Sequence, residues 1–240
     1  MPRGLNIRAL LDSCVDDLPG LRDRALVSTA YDTGLRASEL CVVAVEDLVE
    51  AINPEARLLE IRKHKGDQQG EGSTAYLSPR GVAAIAAWCE AAGIAEGPLF
   101  RRVQVRRYKA RRIETISGRE VWDLRKTLST PAVPAWIEYD IGAKPLHPGS
   151  IGPIYQAMIQ RAFGRGGLPD LTLHDVARLL QGISAHSTRV GLNQDLFASG
   201  EDLAGIMDGL RWKSPRMPLS YNGNLVAEHG AAGRLMKKLG

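Results

Sequence analysis

The feature that most constrains the fold is a change of apolar period over residues 57–78, set between flanks of helical spacing. RLLEIRKHK and STAYLSP read as two strands joined by the turn-rich GDQQGEG, because a strand repeats every two residues and a helix every three to four. Ahead of them, NIRALLDSC and LRDRALVSTAYDTG carry helical spacing punctuated by Pro19-Gly20. Thr33 is placed to cap a short helix, ASELCVVAV, with Glu39 in its first two turns. Behind them, RGVAAIAAWCEAAG predicts a helix packing Val82, Ile85, Ala86 and Cys89 on one face. Helices resume at SIGPIYQAMIQRAFGR, LHDVARLLQG, HSTRVGLNQDLFASG and EDLAGIMDGL, with Gly200 and Gly209 suited to helix ends. The pattern predicts a mainly α protein with a small antiparallel β-sheet, an α+β class.

At 240 residues the chain is long enough for one large domain or two small ones, and residues 1–240 are read as one domain. Between Leu99-Phe100 and about His147 the period weakens, and Pro131, Pro134 and Pro145 interrupt it. This predicts an inserted loop or hairpin at about 101–146, because so few large aliphatics make a poor core. LVAEHGAAGRLMKKLG predicts a final amphipathic helix at about 224–238, set off by Tyr221-Asn222-Gly223-Asn224. Hydrophobic residues at 44% and charged residues at 24% are ordinary globular usage, which excludes collagen, coiled coil and disorder. The absence of a long apolar run or signal-peptide pattern predicts a cytoplasmic protein without a membrane partner. Cys14, Cys41 and Cys89 stand far apart in apolar stretches and read as reduced core residues. His64, His147, His174, His186 and His229 form no HxH or HExxH pair, so a zinc enzyme is not expected, and no cofactor is predicted.

The net charge of +4 is unevenly placed. Residues 1–60 carry 6 basic and 11 acidic groups, whereas residues 101–126 (RRVQVRRYKARRIETISGREVWDLRK) carry 10 and 3. That stretch alone exceeds the whole excess. It reads either as a solvated arm or as a polyanion-binding element in which arginines pair with phosphate and Tyr108 and Trp122 stack. Arg106, Arg107, Lys109, Arg111 and Arg112 are its candidate contacts.

A discontinuous constellation is the most informative motif: TGLRASEL at 33–40, RKHK at 62–65, HSTR at 186–189, WKS at 212–214 and MPLSY at 217–221. Each piece alone has an ordinary structural explanation. An Arg three residues before a Glu is commonly a surface pair, and HxxR merely places His186 and Arg189 on one helical face. In this order and at these intervals, however, the chain resembles the catalytic domain of the tyrosine recombinases, or phage-integrase family. The likeness runs from about Leu5 to the C-terminus outside the insertion. It is strongest to Cre-like members around HSTRVGLNQDLFASG, GLRWKSPRMPLSY and AEHGAAGRLMKKL.

The resemblance implies a site-specific recombinase or integrase domain that cleaves and rejoins double-stranded DNA without metal or ATP. Its catalytic set falls on Arg36, Lys65, His186, Arg189, Trp212 and Tyr221, with Glu39 supporting. The chemistry agrees. Two arginines can grip the non-bridging oxygens of a pentavalent phosphoryl transition state. A tyrosine hydroxyl becomes a useful nucleophile once its proton is taken, and His186 can accept that proton or bond the phosphate. Lys65 can protonate the leaving 5′ oxygen, although Lys63 and Arg62 leave the register open, and Trp212 can donate its indole N–H or pack as a core residue.

The expected product is a 3′-phosphotyrosine with a free 5′ hydroxyl. The family's habit implies a homotetramer on DNA, from a monomer in isolation. Leu225, Val226, Leu235 and Met236 would then dock either in a neighbour or on their own domain. The family's N-terminal core-binding domain has no counterpart ahead of Leu5, so either the chain is a fragment or the clamp is supplied otherwise, and weaker DNA affinity is expected of these residues, partly offset by the insertion. Two other readings stay open: a type IB topoisomerase-like or telomere-resolving enzyme, and a non-catalytic DNA-binding relic.

Overall fold

The computed structural model describes residues 7–61, 72–111, 133–223 and 225–239. The chain opens with helices α1 (Ile7–Asp12) and α2 (Leu18–Thr33). Pro19-Gly20 lies within the first turn of α2 instead of separating two helices. Asp17 accepts the Gly20 N–H at 2.8 Å, and a proline costs nothing where the helix N–H groups lack partners anyway. The helix ends at Gly34, left-handed at φ 58°. A β-carbon there would run into the Leu210 side chain, so glycine answers both a backbone and a packing demand.

Thr33 does not cap the next helix. Its hydroxyl donates to the Thr29 carbonyl within α2 at 2.6 Å, and Arg36 takes the cap position of α3 (Ala37–Cys41). Nor does α3 run on through VVAV as expected. The Leu99 N–H donates to the Val43 carbonyl and the Val45 N–H to the Gly97 carbonyl, which draws this β-branched stretch out of the helix.

Three antiparallel strands follow in the order β1 (Leu48–Glu50), β2 (Arg57–Ile61), β3 (Ser73–Leu77), with Leu48 opposite Leu59 and Leu59 opposite Ala75. The two predicted strands are present, and β1 joins them as an edge too short to show a period. Leu59, Ile61 and Leu77 face the core while Glu60 faces solvent.

Helix α4 (Pro79–Ala92) buries Gly81, Ala84, Ile85 and Trp88. Val82 and Cys89 are half-buried, but Ala86 is exposed. The inner face is therefore turned toward Trp88, whose indole donates to the Leu99 carbonyl at 2.9 Å. Asp32 on α2 fixes the approach of α4 by accepting the Ser78 N–H at 2.9 Å and an Arg80 N–H at 2.6 Å.

Within the segment predicted as an insertion, the described residues form a hairpin of β4 (Arg101–Tyr108) and β5 (Trp136–Pro145), with Tyr108 opposite Trp136. Buried Phe100 and Leu146 hold its base, and Val103 and Ile141 extend the core into it. The remaining helices are α5 (Ile151–Gly164), α6 (Leu173–Gly182), α7 (Ser187–Ser199), α8 (Leu203–Gly209), α9 (Arg216–Asn222), α10 (Val226–His229) and α11 (Ala231–Leu239). Gly200 closes α7 in the left-handed conformation, whereas Gly209 ends α8 without it and the left-handed residue beyond is Arg211. Tyr221-Asn222 belongs to α9 and is no linker, and the predicted final helix is split in two at Gly230.

The core runs continuously from Leu26 and Trp88 through Phe100 to Tyr155 and Met158, with Cys14 and Cys41 buried in it and Cys89 half-buried. The molecule is mainly α with small antiparallel sheets. Among the described residues, no helix is long and apolar enough to cross a membrane.

Candidate active site

Three junctions meet: the end of α2 with the start of α3, the start of α7, and the link from α8 to α9. At the first, Arg36 is held from both ends by one carboxylate. Its N–H donates to Glu39 Oε2 at 2.9 Å and its Nη1 to Oε1 at 2.7 Å. Glu39 is buried, which by itself would raise its pKa. The two bonds from Arg36, that residue's charge and the charge of Arg211 outweigh burial and hold the carboxyl below its ordinary value.

Arg189, in the first turn of α7, has a relative exposure of 0%. Its Nη1 donates to the Gly34 carbonyl and its Nη2 to the Leu210 carbonyl. Its guanidinium carbon lies over the Trp212 ring, 5.0 Å from the centroid. Burial first, then the charges of Arg36 and Arg211, lower it to about 10, which leaves it cationic at neutral pH. Its Nε is buried without a partner among the described residues. A sequestered cation bonded only to neutral carbonyls is costly until an anion joins it.

His186 stands at the cap of α7, and its Nε2 lies 3.3 Å from the Tyr221 hydroxyl. The ring centroids of Tyr221 are 5.8 Å from His186 and 6.1 Å from Trp212. Burial, aided by the positive charges of Arg189 and Arg36, lowers the His186 pKa below 6.5. The imidazole is therefore neutral at pH 7 and can accept a proton.

Tyr221 is seated by α7, the helix that also carries Arg189. Gln194 Nε2 donates to the Tyr221 carbonyl at 3.0 Å, and Asn193 Nδ2 to Asn222 Oδ1 at 2.7 Å, with both asparagines buried. A buried amide pair of this kind fixes one docking register, since sliding α9 would leave both amides unbonded.

Of the residues predicted from sequence, Arg189, Trp212, Tyr221 and His186 are linked in turn by the contacts above, and the bonded pair Arg36–Glu39 lies near enough for its charges to act on Arg189. Lys65, with its neighbours Lys63 and Arg62, lies outside the described residues. Arg106, Arg107, Lys109 and Arg111 are exposed along the hairpin, whereas Arg112 and Trp122 lie outside the described residues. Tyr108 stacks on Trp136 with centroids 4.4 Å apart, and Arg106 lies 4.0 Å from Glu138. Sequence reasoning missed Asn193, Gln194, Asn222 and Arg211. Arg211 sits beside Trp212 in the chain, the one signal that could have marked it; the asparagines belong to no motif. The cluster holds several cations and one carboxylate already engaged by Arg36, a charge balance suited to an anion. Among the described residues, no group of three His, Cys, Asp or Glu side chains could hold a metal ion.

No family model matches the chain. It is 33% identical over 94 residues to an integrase/recombinase xerD homolog of Selenomonas ruminantium, a match covering 37% of this chain and 27% of that protein. It is 24% identical over 234 residues to recombinase cre of Escherichia phage P1, covering 96% of this chain and 57% of the relative. The chain thus spans about a quarter and somewhat over half of the lengths of these two curated relatives. Among solved structures it is similar to XerA recombinase, with TM-score 0.57 and 15% identity over 95% of this chain and 64% of the other. It is also similar to XerH site-specific recombinase bound to palindromic difH substrate in a post-cleavage complex. There the TM-score is 0.58 and the identity 14%, over 96% and 53% of the two chains.

Proposed function

We propose, for a chain that has the fold of the tyrosine recombinase catalytic domain and resembles that family in sequence, that it cuts and rejoins DNA strands through Tyr221. The Tyr221 oxygen attacks a backbone phosphorus, its proton passing to His186, while the bond from phosphorus to the 5′ oxygen breaks. The products are a 3′-phosphotyrosine and a 5′ hydroxyl, with Lys65 supplying the proton to the departing oxygen. Arg36 and Arg189 balance the charge that grows on the non-bridging oxygens, and the Trp212 indole N–H adds a donor. Because the phosphotyrosine keeps the energy of the phosphodiester, a second 5′ hydroxyl can reverse the step on another strand without ATP.

The single observation that carries the reading is the Tyr221 hydroxyl 3.3 Å from His186 Nε2, beside a buried arginine whose guanidinium is bonded to two main-chain carbonyls. Duplex DNA is the substrate, and the exposed arginines of the β4–β5 hairpin are its additional phosphate contacts. One tyrosine per chain cuts one strand, so full exchange calls for several copies, and the proposed assembly is a homotetramer on DNA.

The test is denaturing electrophoresis after incubation with nicked suicide duplexes carrying the terminal repeats of the element that encodes the protein. Wild type is expected to give a retarded covalent band that maps to Tyr221. Y221F should bind the same duplexes and give none. A wild type that binds DNA but forms no adduct would be a DNA-binding relic. Relaxation of supercoils without site preference would favour the type IB topoisomerase-like reading.

A further inference from the structure

We propose that Arg211 is a positioning residue of this site, holding Arg189 and Trp212 in register around the phosphate. The inference rests on the strand-cleavage reading for its consequence, but its geometry is independent of it. Arg211 has φ 54° and is the only non-glycine with positive φ among the described residues. It follows α8 at the place where a left-handed glycine commonly closes a helix, and the Trp212 N–H reaches back to the Met207 carbonyl at 2.8 Å. Glycine takes this conformation freely, whereas a side chain resists it and persists only where its surroundings over-determine it.

Those surroundings are the site itself. Arg211 Nη2 donates to the Thr33 carbonyl at 3.1 Å, next in the chain to the Gly34 carbonyl that takes Arg189 Nη1. Both acceptors lie at the C-terminus of α2, the end of a helix that attracts cations. The two guanidiniums therefore straddle successive carbonyls of one helix end. The main chain of Arg211 then governs the other two contacts of Arg189. The Leu210 carbonyl on one side of it accepts Arg189 Nη2, and the Trp212 ring on the other side covers the guanidinium. Left-handed φ at position 211 turns both toward Arg189, and the side-chain bond to Thr33 pins the turn. Arg211 also shares the field of Arg36 and Glu39, so its charge adds to the cationic face.

The test compares R211G and R211K with wild type by thermal unfolding, by single-turnover adduct formation on the nicked duplexes, and by orthovanadate affinity followed through the His186 imidazole NMR signal. R211G should unfold within a few degrees of wild type, because the relief of backbone strain offsets the lost bond to Thr33. Its adduct rate should nevertheless fall about tenfold or more, with duplex affinity changed by less than about threefold, as misplacement of catalytic groups does. R211K keeps a donor able to reach the Thr33 carbonyl and should recover much of the rate. An R211G protein that forms adduct at the wild-type rate overturns the inference and leaves the strand-cleavage reading standing. If wild type forms no adduct, that reading fails, and vanadate decides for Arg211. Affinity weakened about tenfold in R211G upholds the positioning role, and unchanged affinity removes it.

Discussion

Arg189 and His186 show how burial sets chemistry one residue at a time. Burial first, and cationic neighbours second, lower the pKa of both Arg189 and His186, an arrangement suited to receiving negative charge and a proton together. This gives a pH prediction with a definite sign. The His186 pKa is depressed in the folded protein, so the stability its neutral form contributes is present above the unfolded value and is lost as pH falls through the folded one. The proton acceptor proposed for Tyr221 is lost over the same window. Single-turnover adduct formation, extrapolated to low DNA concentration, should therefore stay level as pH falls to about 6.5 and decline only below it. H186Q should flatten that acid limb. A limb centred at or above 6.5 in wild type would contradict the depressed titration. At this scale the residues of recognisable motifs were legible in advance. Arg211 and the Asn193–Asn222 pair were not, since a backbone angle and a buried amide contact leave no periodic trace in the chain.

The hairpin is where the charge excess of the sequence becomes an element. Two antiparallel strands pair Arg106 with Glu138 and Arg107 with Ile137, and the stacked Tyr108–Trp136 pair stiffens the ladder near its outer end. If this ribbon lies along DNA, each arginine that neutralises a phosphate releases counterions. Replacing Arg106 and Arg107 together by Ala should weaken duplex binding evenly across sequences. It should also reduce the slope of log affinity against log salt by roughly 0.9 per lost contact, as read by fluorescence anisotropy from low to physiological salt. An unchanged slope would make the ribbon the solvated arm that composition alone also allowed. Element types were legible because period and turn residues are local. The errors fell where neighbours competed for the chain, as when residues 97–99 drew Val43 and Val45 away from α3, or when Trp88 turned the buried face of α4 away from Ala86.

For the whole molecule, the question is what covers the C-terminal segment. Val226 on α10 and Leu235, Met236 and Leu239 on α11 are exposed on this chain, and Leu225 is only half-buried. Docking on a second copy would cover that apolar face and fits the proposed tetramer. A chain ending at Gly223 should keep the wild-type unfolding temperature to within a few degrees and still form the single-strand adduct. It should lose the two-site complexes that wild type forms on paired duplexes, as measured by native electrophoresis or sedimentation. Retention of those complexes would place the assembly surface elsewhere. The order of helices and strands and the charge block follow from local chemistry, because period, capping and composition act over a few neighbouring residues, and the candidate site residues were marked by motifs that resemble those of a known family. Convergence of Arg36, His186, Arg189, Trp212 and Tyr221, the left-handed turn at Arg211 and the seating of α9 on α7 came only from packing. Contacts between residues more than a hundred positions apart depend on how a common core brings helix ends together, which no local pattern encodes.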